Sequence, residues 1–380
     1  MRQNDKQVIL PPQPNPQVGL GAATANATAP LLLGEYMRHA VSSPSSSSPS
    51  TASLPTQHGS SLAILERDRT NHILLYNGCF NPPHRGHLAH LVHAFRYAGA
   101  GLHVVGAAIL VADDLYLKWK LAGRHGAQRL GLEQRMRLWT EELARTEVRR
   151  RGDDGDAIIG EWCWVFSETL WPLYVDRLEH SFDRDGVDVE FVRLAGGDKV
   201  TVEWVEHGVW GCDSMITTDV SRPVDFYSNN AGEFSLPRPL RGHSGWETVV
   251  GNRQGNPTRE GRDNTVDRNN TVPSSSISSP QQGRIILTTS QYSRDVWTCS
   301  HQGNGCTIYF IPSSHVERID PDLSSTKIRE IMADSDNLDV NQLEEKLRGM
   351  ALSPGLLAQY IKETKIVKGV QVTGKVRNRG

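Results

Sequence analysis

Ile73-Leu74-Leu75-Tyr76-Asn77-Gly78-Cys79-Phe80-Asn81-Pro82-Pro83-His84-Arg85-Gly86-His87-Leu88 is the stretch that decides the fold. Its first four residues form a short apolar run, bounded by Asn71 before it and Asn77-Gly78 after it, as expected of a buried strand. Beyond it, Leu88, Leu91, Val92 and Phe95 fall at i, i+3, i+4 and i+7, one apolar helical stripe that ends before Gly99 and Gly101. Between strand and helix, Gly78 permits a tight path, Pro82 and Pro83 stiffen the backbone, and His84 and His87 are delivered to the helix start. Unpaired N–H groups and the positive dipole end at that start favour an anion. Two imidazoles three positions apart can donate to the same anion, and Gly86 would let a phosphate approach the backbone. A lone histidine is more often structural, but this combination is a joint coincidence. His90 and His93, further along the helix, are expected to be nearly silent when replaced.

Outward from this unit the alternation continues. His103–Val111 reads as a second buried strand, Leu132–Leu143 as a helix, Ala157–Val165 as a strand and Ser167–Ser181 as a helix. Val187–Ala195, Met215–Asp219 and Thr307–Ile311 read as further strands. Strands alternating with helices predict an α/β domain with a mainly parallel sheet, helices on both faces, and ligands beyond the carboxyl ends of the strands.

Composition sets limits on the rest. The chain has 380 residues, enough for two or three domains or for one large domain with disordered additions. With 41 Lys+Arg against 43 Asp+Glu, no basic surface for nucleic acid dominates. Hydrophobic residues make up 38%, below the roughly 45–50% of typical domains, so part of the chain is expected to be unfolded. Residues 1–60 hold five charged side chains amid Pro, Gln, Ala and Ser, and a disordered tail over 1–70 is expected. Leu31 to Met37 is the one stretch there with the makings of a short docking helix, weighed against an isolated apolar patch. A second polar stretch, about 246–283, reads as a disordered insertion in a domain spanning 71–370.

No window approaches the roughly 18 apolar residues of a spanning helix, and the N-terminus lacks the pattern of a secretory signal. The expected address is intracellular, cytoplasmic or nuclear, without a membrane. Five cysteines with no CxxC pair predict free thiols. Cys299, His301 and Cys306 lack a fourth metal ligand, and the Gly303-Asn304-Gly305 turn accounts for their proximity, so no metal site is assigned.

The segment from Gly78 to Leu88 resembles the His-x-Gly-His nucleotidylyltransferases and looks closest to nicotinamide mononucleotide adenylyltransferases. That family's second signature reads Ser-Ser-Thr-x-Ile-Arg, and this chain has Ser324-Ser325-Thr326-Lys327-Ile328-Arg329 in the required order. From the residues themselves, Ser324 or Ser325 can cap a helix whose Ile328, Ile331 and Met332 pack inward, leaving Thr326, Lys327 and Arg329 to face phosphate. Tyr116-Leu117-Lys118, with Arg135 downstream, is similar to the family's Tyr-x-Lys segment; Lys118 is the better phosphate candidate and Lys120 its rival. Glu161-Trp162 resembles an acidic-Trp pair whose ring stacks on nicotinamide, with Trp164 and plain core packing as competing readings. Leu194-Ala195-Gly196-Gly197-Asp198 fits a strand-end Gly-x-Asp that contacts the nucleotide, and Thr217–Arg222 resembles the next strand running out to an Arg.

The resemblance spans roughly 71–222 and 306–365, and departs from the family at Cys79, where a small hydroxyl residue is usual. It implies a Rossmann-like, doubly wound sheet. It further implies transfer of AMP from ATP, with Mg²⁺, to a mononucleotide phosphate, that of nicotinamide or nicotinate mononucleotide, making NAD or its deamido precursor with release of pyrophosphate. Implied catalytic groups are His84, His87, Lys118 and Arg329; implied nucleotide contacts are Gly78, Cys79, Phe80, Gly86, Gly197, Asp198, Ser324, Ser325 and Thr326; implied acceptor contacts are Trp162 and Arg222. A homo-oligomer is compatible with it. Two rivals stay open: a cytidylyltransferase-like enzyme with another phosphorylated acceptor, and a nucleotide-binding regulatory paralogue with little turnover.

Overall fold

The computed structural model describes residues 30–42, 63–123, 129–149, 156–158, 161–228, 236–249 and 295–364. Its strands are β1 (Leu31–Leu32), β2 (Ile64–Leu65), β3 (Asn71–Gly78), β4 (Val104–Val111), β5 (Glu147–Arg149), β6 (Asp156–Ile158), β7 (Cys163–Ser167), β8 (Val189–Leu194), β9 (Ser214–Thr218), β10 (Glu247–Val249), β11 (Val296–Ser300) and β12 (Thr307–Ile311). Its helices are α1 (Leu33–Ser42), α2 (Arg85–Tyr97), α3 (Asp114–Lys120), α4 (Leu132–Leu143), α5 (Trp171–Asp185), α6 (Ser325–Ala333) and α7 (Val340–Leu347), with a last helix over 354–364.

Eight strands make one sheet in the order β10-β11-β12-β9-β8-β3-β4-β7. From β12 to β7 all neighbours are parallel, while β11 and β10 extend the sheet antiparallel. The apolar β4 is buried at all eight positions, and since alternate side chains point to opposite faces, both faces of the sheet are covered there. The chain leaves β3 for β4 and β7, then crosses back to build β8, β9 and β12 on the other side of β3. Winding therefore reverses between β3 and β8, where loops at the carboxyl ends diverge and open a crevice.

The predicted stripe on α2 is its buried face: Leu88, Leu91, Val92 and Phe95 are all core. A second apolar cluster joins Leu130 and Leu138 to Ile328, Met332, Leu343, Leu347 and Leu357 of the C-terminal helices. That bundle braces the histidine loop, because Arg85 N–H donates to Met350 O (2.9 Å) and Leu352 N–H to Pro83 O (3.2 Å). All five cysteines are free thiols. Among the described residues no helix is long and apolar enough to cross a membrane.

Three expectations are corrected. The first concerns the tail over 1–70, since α1 is a docked helix whose Leu33, Tyr36, Met37, Ala40 and Val41 are buried in the main core. Tyr36 donates to Asp185 (2.7 Å), Arg177 donates to Ala40 O (2.7 Å), and β1 pairs with β2. Bland flanking composition hides a ten-residue amphipathic segment when windows are averaged. The second concerns the insertion at 246–283, whose start is structured: Glu247–Val249 is β10, and Trp246 stacks on Phe226 with centroids 5.3 Å apart. The rest of both segments, 1–29, 43–62 and 250–283, lies outside the described residues. The third concerns the strand at Ala157–Val165, which is two: β6 pairs with β5, and the sheet strand β7 begins only at Cys163.

Candidate functional site

A cleft of about 830 Å³ opens at the carboxyl ends of the parallel strands. The loops after β3, β4, β8 and β9 and the start of α6 all line it. Its centre is the turn from β3 into α2. Phe80 takes φ 43°, and its ring lies over Gly78, where a Cβ would come within 2.9 Å of it. The next peptide, Asn81-Pro82, is cis.

His84 and His87 cap the helix reciprocally. His84 Nδ1 accepts from Gly86 N–H (3.1 Å), and His87 Nδ1 accepts from His84 N–H (3.2 Å). The rings stack with centroids 3.6 Å apart, and Phe80 meets His87 edge-on. Gly86 serves this packing, since a Cβ there would sit 3.0 Å from the His84 ring. A ring nitrogen that accepts a hydrogen bond carries no proton, so each neutral imidazole bears its proton on Nε2. Burial, with the Arg222 charge adding to it, pushes His84 down to about 3. Burial, then the neighbouring His84 and Arg222, holds His87 well below the usual imidazole range. Both are therefore neutral Nε2–H donors at physiological pH, and the buried His84 Nε2 has no partner among the described residues.

The backbone part of the anion expectation is corrected by the same bonds. The N–H groups of His84 and Gly86 go to imidazoles, that of Arg85 goes to Met350, and those of His87 and Leu88 go to His84 O. None of these amides is left for a ligand, so donation falls to the rings.

The second signature folds onto the first. Ser324 caps α6, accepting from Lys327 N–H (3.3 Å), and Ile328 and Met332 are buried as expected. Ser325 Oγ donates to Pro82 O (2.9 Å), and Arg329 donates to Asn81 O (2.7 Å) and to Thr326 Oγ1 (2.8 Å). Residues some 240 positions apart thus face one cleft, with Ser324, Ser325, Thr326 and Arg329 opposite His84 and His87. Gly78, Cys79, Phe80, Gly197, Asp198 and Arg222 line it too, whereas Gly86 stays behind the His84 ring. Burial raises the Cys79 thiol, against the lowering effect of nearby Lys120 and Arg135.

Two site expectations are overturned by geometry. Residues 114–120 are helical, so positions 118 and 120 lie roughly 200° apart around the axis. Tyr116, Leu117, Lys120 and Leu121 form the face on the cleft, and Lys118 is outside it. Lys120 is the cation the site receives. Trp162, an implied acceptor contact, directly precedes β7, which puts it at the amino end of the sheet, away from the cleft. It is wholly buried and stacks on Phe95 with centroids 3.5 Å apart, so it has no access to a ligand ring.

Other residues turn out to be supports. Arg135 is fully buried and donates to Cys79 O (2.7 Å), Ala112 O (2.7 Å), Leu130 O (3.2 Å) and Asp114 (2.6 Å), clamping the loops after β3 and β4 together. His90 is 1% exposed, and its ring joins Thr218 Oγ1 (3.0 Å) to Ala195 O (3.2 Å), tying α2 to the ends of β8 and β9. His93 is buried as well, so neither position is the inert control that helix spacing implies.

Sequence reasoning missed Trp210, Glu168, Arg193 and Glu206, all on the cleft wall. Trp210 has φ 62° and ψ 22°, a left-handed backbone rare for a bulky residue, and its Nε1 is buried with no partner among the described residues. Burial, with Asp113 adding to it, raises the Glu168 carboxyl against a hydrogen bond from Asn77. Trp210, Glu168 and Glu206 lie outside the regular strands and long helices, where neither period nor capping pattern marks them, and Arg193 is a lone charge inside β8; the one available signal was their position in or after predicted strands.

Away from the cleft, the rings of His207, His243 and His301 pack with centroids 4.6–5.1 Å apart, and His207 and His243 stack face to face. Among the described residues no three His, Cys, Asp or Glu side chains are grouped to hold a metal ion. Comparison of the chain with protein-family models and with curated proteins finds no match.

Proposed function

We propose that the cleft is a nucleotidyl-transfer site that joins AMP from ATP to the 5′-phosphate of a mononucleotide, with nicotinamide or nicotinate mononucleotide as acceptor, on a Rossmann-like sheet. The observation that carries this reading is the convergence of two neutral Nε2–H donors on His84 and His87 with Arg329, delivered from the far end of the chain and anchored to the histidine loop through Asn81 O. The strand order from β12 to β7, one reversal between β3 and β8, matches the doubly wound arrangement that takes nucleotides at such a crevice.

The chemistry asks little of side chains as nucleophiles. An acceptor phosphate oxygen attacks the α-phosphorus in line, the bond to the bridging oxygen breaks, and pyrophosphate leaves with its electron pair. Acceleration then comes from positioning and from charge placed where the transition state develops it. His84 and His87 donate to phosphate oxygens without changing protonation state. Lys120, Arg222 and Arg329 supply positive charge around the polyphosphate. Mg²⁺ would arrive with ATP as part of the substrate and would supply neutralising charge beside the cations that line the cleft. Trp210 replaces Trp162 as the ring able to stack on a flat acceptor, because it lies on the wall and in a backbone conformation that surrounding structure must hold in place.

The test is pyrophosphate release by the full chain with Mg²⁺, ATP or CTP, and a panel of mononucleotides and phosphorylated alcohols. Turnover with ATP and a pyridine mononucleotide, reduced on the order of 10²–10³ in kcat by His87→Ala, is the expected result. Turnover only with CTP and a phosphorylated alcohol replaces this reading with the cytidylyl one, and tight nucleotide binding without turnover replaces it with a regulatory role.

A further inference from the structure

Beside Trp210 the cleft wall carries a second polar device, which the transfer chemistry does not use. Arg193, on β8, is 4% exposed and still contributes to the wall. Its Nη1 donates to the Glu206 backbone O (2.8 Å), and its Nη2 pairs with Glu206 Oε2. Lys199 approaches the same Oε2 at 3.7 Å. The hairpin from 199 to 206 fixes the arrangement, since Glu206 N–H donates to Lys199 O (3.1 Å) and Val200 bridges Val205. Partial burial alone would raise the Glu206 carboxyl, but Arg193 and Lys199 outweigh it and hold it below the usual range.

Both cations converge on Oε2, and among the described residues no hydrogen bond or ion pair holds Oε1 of this cleft-lining residue. The buried guanidinium has spent both terminal nitrogens on Glu206 and does not offer a fork to an incoming anion. A ligand edge meeting this wall therefore encounters a fixed, ionised hydrogen-bond acceptor. We infer that Glu206, positioned by Arg193 and Lys199, is the specificity-determining residue that selects a carboxamide-bearing acceptor ring over its carboxylate counterpart. An amide N–H₂ can donate to Oε1, whereas a carboxylate would set two anions against each other in a partly dry cleft. This rests on the proposed transfer to a pyridine mononucleotide and names which of the two common forms the site takes.

The experiment compares kcat/KM for nicotinamide mononucleotide and nicotinate mononucleotide, with Mg²⁺-ATP, in the full chain. The wild type is expected to favour the amide by about tenfold or more. Glu206→Gln keeps an oxygen for Arg193 but removes the negative charge, leaving two cations nearby, so the ratio should fall by about tenfold and approach or pass unity. Lys199→Met, at a half-exposed side chain that leaves the buried guanidinium paired, should move the ratio the other way, further toward the amide. This second variant decides the matter if Glu206→Gln melts early. A wild type that uses the nicotinate form equally well or better, or variants whose ratios stay within about twofold of wild type, overturns the inference and leaves adenylyl transfer standing. Absence of turnover with either mononucleotide overturns the transfer reading itself, and this inference with it.

Discussion

Leu33 is where the fold is most open to a quantitative challenge. Its side chain is wholly buried, and one of its methyl groups, Cδ2, occupies the space a Cβ would need at Gly106 on β4, only 2.7 Å away. Leu33→Ala therefore opens a hole over a residue that has no side chain to fill it. Buried Leu→Ala changes cost about 2–5 kcal/mol, and the rigid strand beneath argues for the upper half of that range. Set against about 5–15 kcal/mol for a whole domain, this single change near the N-terminus removes a large share of stability. The converse substitution, Gly106→Ala, presses on Leu33, on Trp162 O (3.0 Å) and on Trp164 (3.0 Å), and should cost about 1–3 kcal/mol by overpacking. Because one of those contacts vanishes with Leu33, the double variant should be less damaged than the sum, with a coupling of about 0.5–3 kcal/mol. Equilibrium urea unfolding followed by tryptophan fluorescence measures all three, and the exposed Arg38→Ala serves as control, expected within about 0.5 kcal/mol of wild type. If Leu33→Ala is as mild as that control, α1 is not docked in the core and its assignment there is refuted.

Other outcomes follow from the same geometry. Lys120→Ala should reduce adenylyl transfer on the order of 10² in kcat, and Lys118→Ala, on the far side of α3, should not; equal losses would count against the helical face assigned here. His90 should make the protein acid-sensitive. Burial holds it down at about 4 in the fold, against hydrogen bonding to Ala195 and the Asp198 charge, so its stabilising neutral state is intact above the unfolded value of 6.5 and is lost as pH falls toward 4. The gap between 6.5 and about 4 corresponds to about 3 kcal/mol, and the pH dependence of unfolding should flatten by about that amount in His90→Gln; an unchanged slope would remove His90 as its source. Cys79 should react slowly with iodoacetamide at neutral pH and faster at alkaline pH, with Mg²⁺-ATP giving protection; alkylation indifferent to nucleotide would place the thiol away from the bound phosphates.

Much of the sheet was legible because β3, β4, β8, β9 and β12 are short apolar runs ended by turn residues, and α2 and α4 repeat every 3.6 residues. Thr307–Ile311 and Leu132–Leu143 are found with the bounds the sequence implies. The two signatures were legible for another reason: proline, glycine and capping residues constrain the backbone locally, whatever the rest of the chain does. Lys120 and Trp162 were not, since choosing between neighbouring lysines requires the phase of a helix, and placing a tryptophan at a strand's start or end requires its register. Such information is tertiary. The loop that carries Glu206 and Trp210 has no repeat at all, so its place on the cleft wall emerges only when β8 and β9 are laid side by side.

The reciprocal cap on α2 gives each imidazole two separable jobs, one on each edge of the ring. The Nδ1 edge of His84 and of His87 closes the helix, and the opposite Nε2 edge is left for a ligand. Asparagine reaches about as far as Nδ1 and glutamine about as far as Nε2, so the pair can be dissected at either position without changing the backbone. Asparagine at 87 would keep the helix start and discard the donor; glutamine would keep a donor and loosen the start. A mutational drift that relaxed only one edge would therefore yield either a well-folded protein that binds phosphate poorly or a frayed one that still binds it, and the two fates can be told apart by a melting curve alone.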